Sequence, residues 1–192
     1  MIFGLYAFFL CLNSFNRTSY KNYNLWCEIH KMKRIFIVRH AKSSWADLSL
    51  RDKDRPLNAR GNRDGPVMAE KIKAITGKID GLFSSSSQRT RETSAHLMKH
   101  LEFDQVSYLD KLYHASYQDM IEVIHEVPQD MDTAMIVGHN PGSTDLYNYF
   151  ASSYLDNLPT CGVFLLEIDG NWQDADQQHT VVKHLMYPKM FL

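Results

Sequence analysis

Ile35-Phe36-Ile37-Val38 is an unbroken run of β-branched and aromatic residues, the pattern of a strand covered on both faces. Ala134-Met135-Ile136-Val137 repeats it. Gly81-Leu82-Phe83 and Val106–Leu109 predict two shorter strands. Val163–Ile168 and Val181–Met186 predict a closing pair, with a turn at Asp169-Gly170. Helical spacing separates these runs. Val67, Met68, Ile72 and Ile75 share one face of a helix ending before Gly77, a residue suited to the C′ position. Ala95, Leu97, Met98 and Leu101 mark a second helix. Met120, Ile121 and Ile124 mark a third over Tyr117–Glu126, which Pro128 stops. Pro141 opens a fourth from a favoured first-turn position. A polar loop from Ala41 to Leu57 follows the first strand.

Strands alternating with helices predict an α/β domain, a three-layer α/β/α sandwich with a mainly parallel sheet. Residues 32–192 hold the whole pattern. Residues 1–31 stand apart: the apolar run Ile2–Leu12 is preceded by no Lys or Arg, and Asn16-Arg17-Thr18 is an isolated sequon. This stretch reads as an N-terminal extension, either upstream of a working start at Met32 or a weak targeting segment.

At 192 residues, 44% apolar and 22% charged, with 9 Gly and 6 Pro, the chain has a globular composition. Cys11, Cys27 and Cys161 are too few and too scattered for a disulfide framework or a Cys-rich zinc site, so a cytoplasmic setting is expected. No apolar run is long enough to span a bilayer, and no membrane partner is expected. The net charge of −1 hides an asymmetry. Residues 32–91 carry 14 Lys and Arg against 6 Asp and Glu, whereas residues 92–192 carry 4 against 15. That fits a local anion site better than the broad basic face a nucleic acid needs.

In a parallel α/β sheet the ligand sits beyond the carboxyl ends of the strands. There the sequence offers Arg39-His40, then Ser84–Ser87 with Gln88-Arg89-Thr90-Arg91, then Gly138-His139-Asn140-Pro141-Gly142. Two imidazoles, several guanidiniums and helix starts converge on one edge. His-x-His, His-Glu-x-x-His and Cys-rich spacings are absent from these positions, so neither a metal nor a cofactor is expected. The set suits a phosphoryl group. Arginine meets its oxygens with a planar fork, and a neutral imidazole can attack phosphorus to form a phosphohistidine. A second histidine and backbone N–H groups can hold the equatorial oxygens.

Several motifs in unbroken order resemble one family. They are Arg39-His40-Ala41-Lys42-Ser43-Ser44-Trp45, Asp54-Arg55-Pro56-Leu57-Asn58 with Arg60-Gly61, and Ser84-Ser85 with Arg89-Thr90-Arg91-Glu92-Thr93. Leu112-Tyr113, Val137-Gly138-His139-Asn140-Pro141-Gly142, Leu158-Pro159-Thr160 and Pro188-Lys189 complete the series. The chain resembles the histidine phosphatase superfamily, the phosphoglycerate-mutase-like fold, and within it the SixA-like phosphohistidine phosphatases. The resemblance implies that His40 is the phosphorylated nucleophile, that Arg39 and Arg89 bind phosphoryl oxygens, and that His139 contacts the group in transfer. Ser43, Asn140 and Arg55 are candidate substrate contacts. The partner implied is a phosphorylated protein or a small phosphorylated substrate.

Two departures stand out. The family usually has Ser-Pro-Ala where this chain has Ser85-Ser86-Ser87, which predicts a looser turn before Arg89. Mutases and many phosphatases place a glutamate general acid after the third strand. Here Leu112-Tyr113-His114-Ala115-Ser116 brings no carboxylate until Asp119. An imidazole leaves a phosphoramidate near its ordinary pKa of about 6.5, unlike an alkoxide, so a pocket without an acid favours phosphohistidine. Asp47, Asp52, Asp54 and Asp119 are the rival acids. A phosphomonoester phosphatase, a mutase-like phosphoryl transferase and a non-catalytic phosphate-binding protein are the alternatives. Of the remaining features, His96 and His100 read as a solvated helix face rather than a metal clip, and Tyr113 as a core residue. Trp45 reads equally as pocket cover or packed loop anchor, and Lys42, Arg55, Arg60 and Arg63 as surface cations or guides for an anion.

Overall fold

The structure is a computed structural model that describes residues 32–192. The readings made on residues 1–31, including Cys11 and Cys27, lie outside the described residues. The strands are β1 (Lys33–Arg39), β2 (Lys78–Ser85), β3 (Glu102–Leu109), β4 (Thr133–Gly138), β5 (Val163–Ile168) and β6 (Thr180–Met186). The helices are α1 (Ala59–Lys73), α2 (Gln88–Met98), α3 (Tyr117–His125) and α4 (Gly142–Phe150). They form one sheet in the order β3-β2-β4-β1-β5-β6. β1 to β4 run parallel, and β5 is antiparallel to both β1 and β6. The chain is thus an α/β sandwich with a mixed, mainly parallel sheet.

Alternation along the central strands builds two cores. Ile35 and Ile37 of β1 and Ile136 of β4 point toward α3 and α4, meeting Met120, Val123, Ile124 and Leu146 around the buried Trp172. Phe36, Val38, Met135 and Val137 point the other way, toward Met68, Ala69 and Ile72 of α1 and Leu97 of α2. Both faces being covered, the strands are apolar without interruption.

Three local departures have physical causes. α1 ends at Lys73, and its last turn tightens through Ile75 N–H on Ile72 O (2.9 Å). Gly77 lies beyond that turn and closes no left-handed cap, because Gly170 is the glycine with positive φ (127°) among those described. α2 buries Arg89, Thr90, Thr93, Ser94 and Leu97 and leaves Ala95 and Met98 outside, so its inner face is chiefly polar. The Ser85–Ser87 turn is well tied. The Thr90 hydroxyl lies 2.6 Å from Ser85 O and 2.9 Å from Ser87 Oγ, supplying the order that proline gives elsewhere.

The register positions the site. Arg39 lies beside Gly138 and Ser84 beside Val137, so His40, Ser85 and His139 all emerge at one carboxyl edge. α1 is fitted closely beneath the loop that follows. Asn58 N–H donates to Lys42 O at 2.9 Å, and a Cβ added at Gly61 would lie 2.3 Å from that same oxygen. Gly61→Ala is therefore expected to destabilise the fold by about 1–3 kcal/mol, as overpacking against backbone does. Urea unfolding measures it, and a midpoint equal to that of the parent chain would refute the fit.

Candidate active site

His40 leaves the end of β1 with its backbone N–H on Gly138 O (3.0 Å), and its own carbonyl accepts from Cys161 N–H (3.1 Å). Its ring Nδ1 lies 2.7 Å from Ala41 O. A carbonyl only accepts, so Nδ1 carries the hydrogen and Nε2 keeps its lone pair free. The residue is 9% exposed. Burial first, and then the Arg89, Arg39 and Arg55 charges, push its pKa down to about 3 despite the bond to Ala41. The imidazole is neutral, with a bare nitrogen.

His139, following β4, is the mirror tautomer. Arg89 Nη2 is 3.4 Å from its Nδ1 and Ser85 Oγ is 2.8 Å from its Nε2. A guanidinium only donates, so Nδ1 accepts and Nε2–H donates to the serine. Burial, with the neighbouring His40 and Arg89, pushes its pKa to about 2. The two rings are 5.1 Å apart between centroids and inclined at 58°.

Arg89, on the first turn of α2, is 4% exposed. Its Nη1 donates to Asp52 O (2.6 Å) and its Nη2 to Asp52 Oδ2 (2.9 Å). Arg39 Nη1 donates to Leu158 O (2.5 Å), and its buried Nε has no protein partner. Thr93 links helix to strand: its hydroxyl donates to Arg89 O (2.7 Å) and accepts from Ala41 N–H (3.0 Å). Arg39, His40, Lys42, Ser43, Trp45, Arg55, Arg89 and Thr160 line a cavity of about 190 Å³. Through Arg39, Lys42 and Thr160 it opens into a groove of about 840 Å³ that also carries Arg60, Arg63 and Lys189.

Ser43 and Arg55 thus lie in the cup, and the Arg55 guanidinium donates to Ser43 Oγ (2.7 Å), Ser44 O (3.0 Å) and Asp52 Oδ1 (2.8 Å). Asn140 lies to one side. Its amide donates to Asn157 Oδ1 (2.8 Å) and Leu158 O (3.2 Å), fastening the segment on which Arg39 rests. Of the four rival carboxylates, Asp52 reaches the site. Partial burial raises its pKa, but hydrogen bonds from Tyr113, Arg89 and Arg55 outweigh that and hold it at about 2. It is an ionised clamp between arginines. Asp54 pairs with Arg51 (2.6 Å), Asp119 caps α3 through Ser116, and Asp47 binds Ser49.

Some residues of the site carry no motif of their own. Tyr113 is not core: its hydroxyl donates to Asp52 Oδ2 (2.8 Å) and its ring meets His139 edge-on at 5.7 Å. Ser85 holds the Nε2 side of His139 (2.8 Å), a contact that depends on β2 pairing beside β4. Cys161 is fully buried behind His40, and burial raises its thiol to about 12. His96 and His100 turn to Asn62 (3.0 Å) and Glu70 (2.5 Å). Among the described residues no three His, Cys, Asp or Glu side chains group to hold a metal, and no helix is long and apolar enough to cross a membrane.

Two histidines held neutral make folding sensitive to acid. Below about pH 6.5 both take up protons in the unfolded chain, while the folded chain binds none there until about pH 3. Stability is therefore expected to fall as pH drops through that window, by up to about 2.7 kcal/mol per pH unit from the pair. Replacing His40 and His139 by Asn removes that part of the slope. An unchanged slope in urea-unfolding series would show that the rings are charged in the folded state.

Comparison with known proteins places this geometry. Residues 35–144 match the model of the histidine phosphatase superfamily (branch 1). An uncharacterized chloroplastic protein of Arabidopsis thaliana is 31% identical over 156 residues, 74% of this chain and 70% of the relative. An uncharacterized protein of Mycobacterium tuberculosis is 30% identical over 149 residues, 72% of this chain and 92% of the relative. Among solved structures, SixA from Agrobacterium tumefaciens superposes with a TM-score of 0.68 at 25% identity, covering 81% of this chain and 98% of its own. A protein histidine phosphatase SixA complexed with tungstate shares the fold, with a TM-score of 0.70 at 16% identity, covering 83% of this chain and 99% of its own. The extent of the family match and the identity to these relatives make this chain a member of the histidine phosphatase superfamily, branch 1, with SixA among its structural neighbours.

Proposed function

We propose that the protein is a metal-independent phosphatase that works through a phosphohistidine at His40, with phosphohistidine as its substrate. The free Nε2 lone pair of a neutral His40, set among Arg39, Arg55 and Arg89 in one small cavity, carries this reading. The tungstate held by a SixA of the same fold, a tetrahedral oxyanion of phosphate shape, supports it.

The steps follow from the charges. A phosphoryl group entering the cup meets Arg39 and Arg89, whose fixed positive charge is matched to a loose, anionic transition state. His139, neutral with its hydrogen on Nε2, donates that N–H to a phosphoryl oxygen in place of Ser85 Oγ. His40 Nε2 attacks phosphorus and the P–N bond of the substrate breaks. The electron pair returns to the leaving ring nitrogen. Phosphohistidine that enters with its other ring nitrogen protonated expels a neutral imidazole, whereas the unprotonated form would have to expel an imidazolide. Water then attacks phosphorus, the bond to Nε2 breaks, and a water proton passes to the phosphate released. The one carboxylate at the site, Asp52, is ionised and spent on Arg89 and Arg55, so an alkoxide would leave without a donor. That favours P–N over alkyl P–O cleavage.

The expected result is turnover of a phosphohistidine peptide well above that of an alkyl phosphomonoester, unchanged by a chelator. A clear preference for the alkyl ester would overturn the substrate, and inhibition by the chelator the metal independence. Brief exposure to labelled substrate should leave acid-labile, base-stable phosphate on the protein, lost in His40→Ala together with at least about a thousandfold of the turnover. Arg89→Ala is expected to lower kcat about 10²–10³-fold, as loss of one charge-stabilising donor does. Hydrolysis persisting in His40→Ala would exclude it as the nucleophile.

A further inference from the structure

Trp45 is 63% exposed, a large apolar area to leave in water. It lines the phosphoryl cup beside His40 and Ser43, where the other lining side chains are polar or charged. It is also held. The Arg55 guanidinium carbon stacks 3.3 Å from the ring centroid. Arg55 in turn is fixed by Ser43 Oγ, Ser44 O and Asp52 Oδ1. One face of the indole is thus covered by a cation with no freedom to swing away. The chain on either side is pinned as well, by Ser44 N–H on Pro56 O (2.8 Å) and Ala46 N–H on Ser44 Oγ (3.1 Å).

We infer that the uncovered face of Trp45 is a stacking platform for the leaving group, selecting substrates whose phosphoryl group departs from a planar aromatic ring. The inference rests on the phosphatase reading above and adds a specificity residue to it. The platform is ordered before the substrate arrives, so stacking costs little further side-chain entropy. Offset stacking of aromatic rings exceeds simple area burial by an amount that corresponds to a roughly two- to tenfold preference. Trp45 acts on the ring being expelled, whereas the arginines act on the phosphoryl group. Ring preference and phosphoryl binding should therefore separate.

The test compares phosphoimidazole with phosphoramidate, which shares the P–N bond but has no ring, in the full chain. The expected result is a kcat/KM ratio between them that falls roughly three- to tenfold in Trp45→Ala, chiefly through KM for phosphoimidazole. Trp45→Phe keeps most of the ratio. Trp45→Leu, similar in bulk but not aromatic, behaves as Trp45→Ala and replaces it if that variant fails to fold. A 4-nitrophenyl phosphate series should follow the phosphoimidazole pattern, because it too expels a ring. A ratio unchanged in Trp45→Ala and Trp45→Leu, or one falling equally in Trp45→Phe, overturns the platform while leaving the phosphatase intact. A parent chain that turns over none of the three substrates takes the phosphatase reading and the platform down together.

Discussion

The constraint on which this site depends is electrostatic: an imidazole stays unprotonated amid a cluster of arginines. Arginines that would attract an anion also repel a proton from His40. Burial acts in the same direction, and the bond from Nδ1 to Ala41 O decides which nitrogen keeps the lone pair. The arginine field that would draw in an anion thus works together with burial, the larger effect, to keep the His40 ring neutral. In water the same ring would be partly protonated near neutrality, and its nucleophilic nitrogen would be blocked for a share of the time.

Such a concentration of positive charge needs restraint when no anion is bound. Asp52 supplies it, bridging Arg55 and Arg89 while Tyr113 holds the same carboxylate. Its position is set by a short turn in the loop after His40, and the loop is in turn seated on the start of α1 through Asn58 and Lys42. The site is thus assembled by three parallel strand ends and finished by one loop. Ser85 and Thr93 extend the same logic to the neutral partners: each spends a hydroxyl on fixing something that carries charge or chemistry.

Much of this was readable along the chain, and the reason is local. His40, Arg39, Arg89 and His139 each lie at or just beyond a strand whose hydrophobic pattern is continuous, so the strand and its terminal motif are legible together. The sandwich followed from the same alternation of runs and helical spacings. What escaped reading depends on reach across the fold. Tyr113 looks like a core aromatic because sequence does not show that its hydroxyl meets Asp52, 61 positions away. The inner face of α2 misled for a related reason: Thr90 is buried because the Ser85 and Ser87 carbonyls await its hydroxyl, Thr93 because its hydroxyl joins Arg89 O to Ala41 N–H, and hydrophobic periodicity is blind to such pairing. Gly77 shows the converse, a permissive residue at a place where the helix had already closed by tightening its last turn.

Cys161, packed against the backbone of His40, has a bearing on where such chemistry can operate. With its thiol buried and its pKa raised to about 12, it offers almost no thiolate to peroxide or to disulfide exchange. On the phosphatase reading proposed above, a centre whose nucleophile is a ring nitrogen, and whose adjoining sulfur is chemically silent, would stay indifferent to oxidants that silence one built on a reactive thiolate.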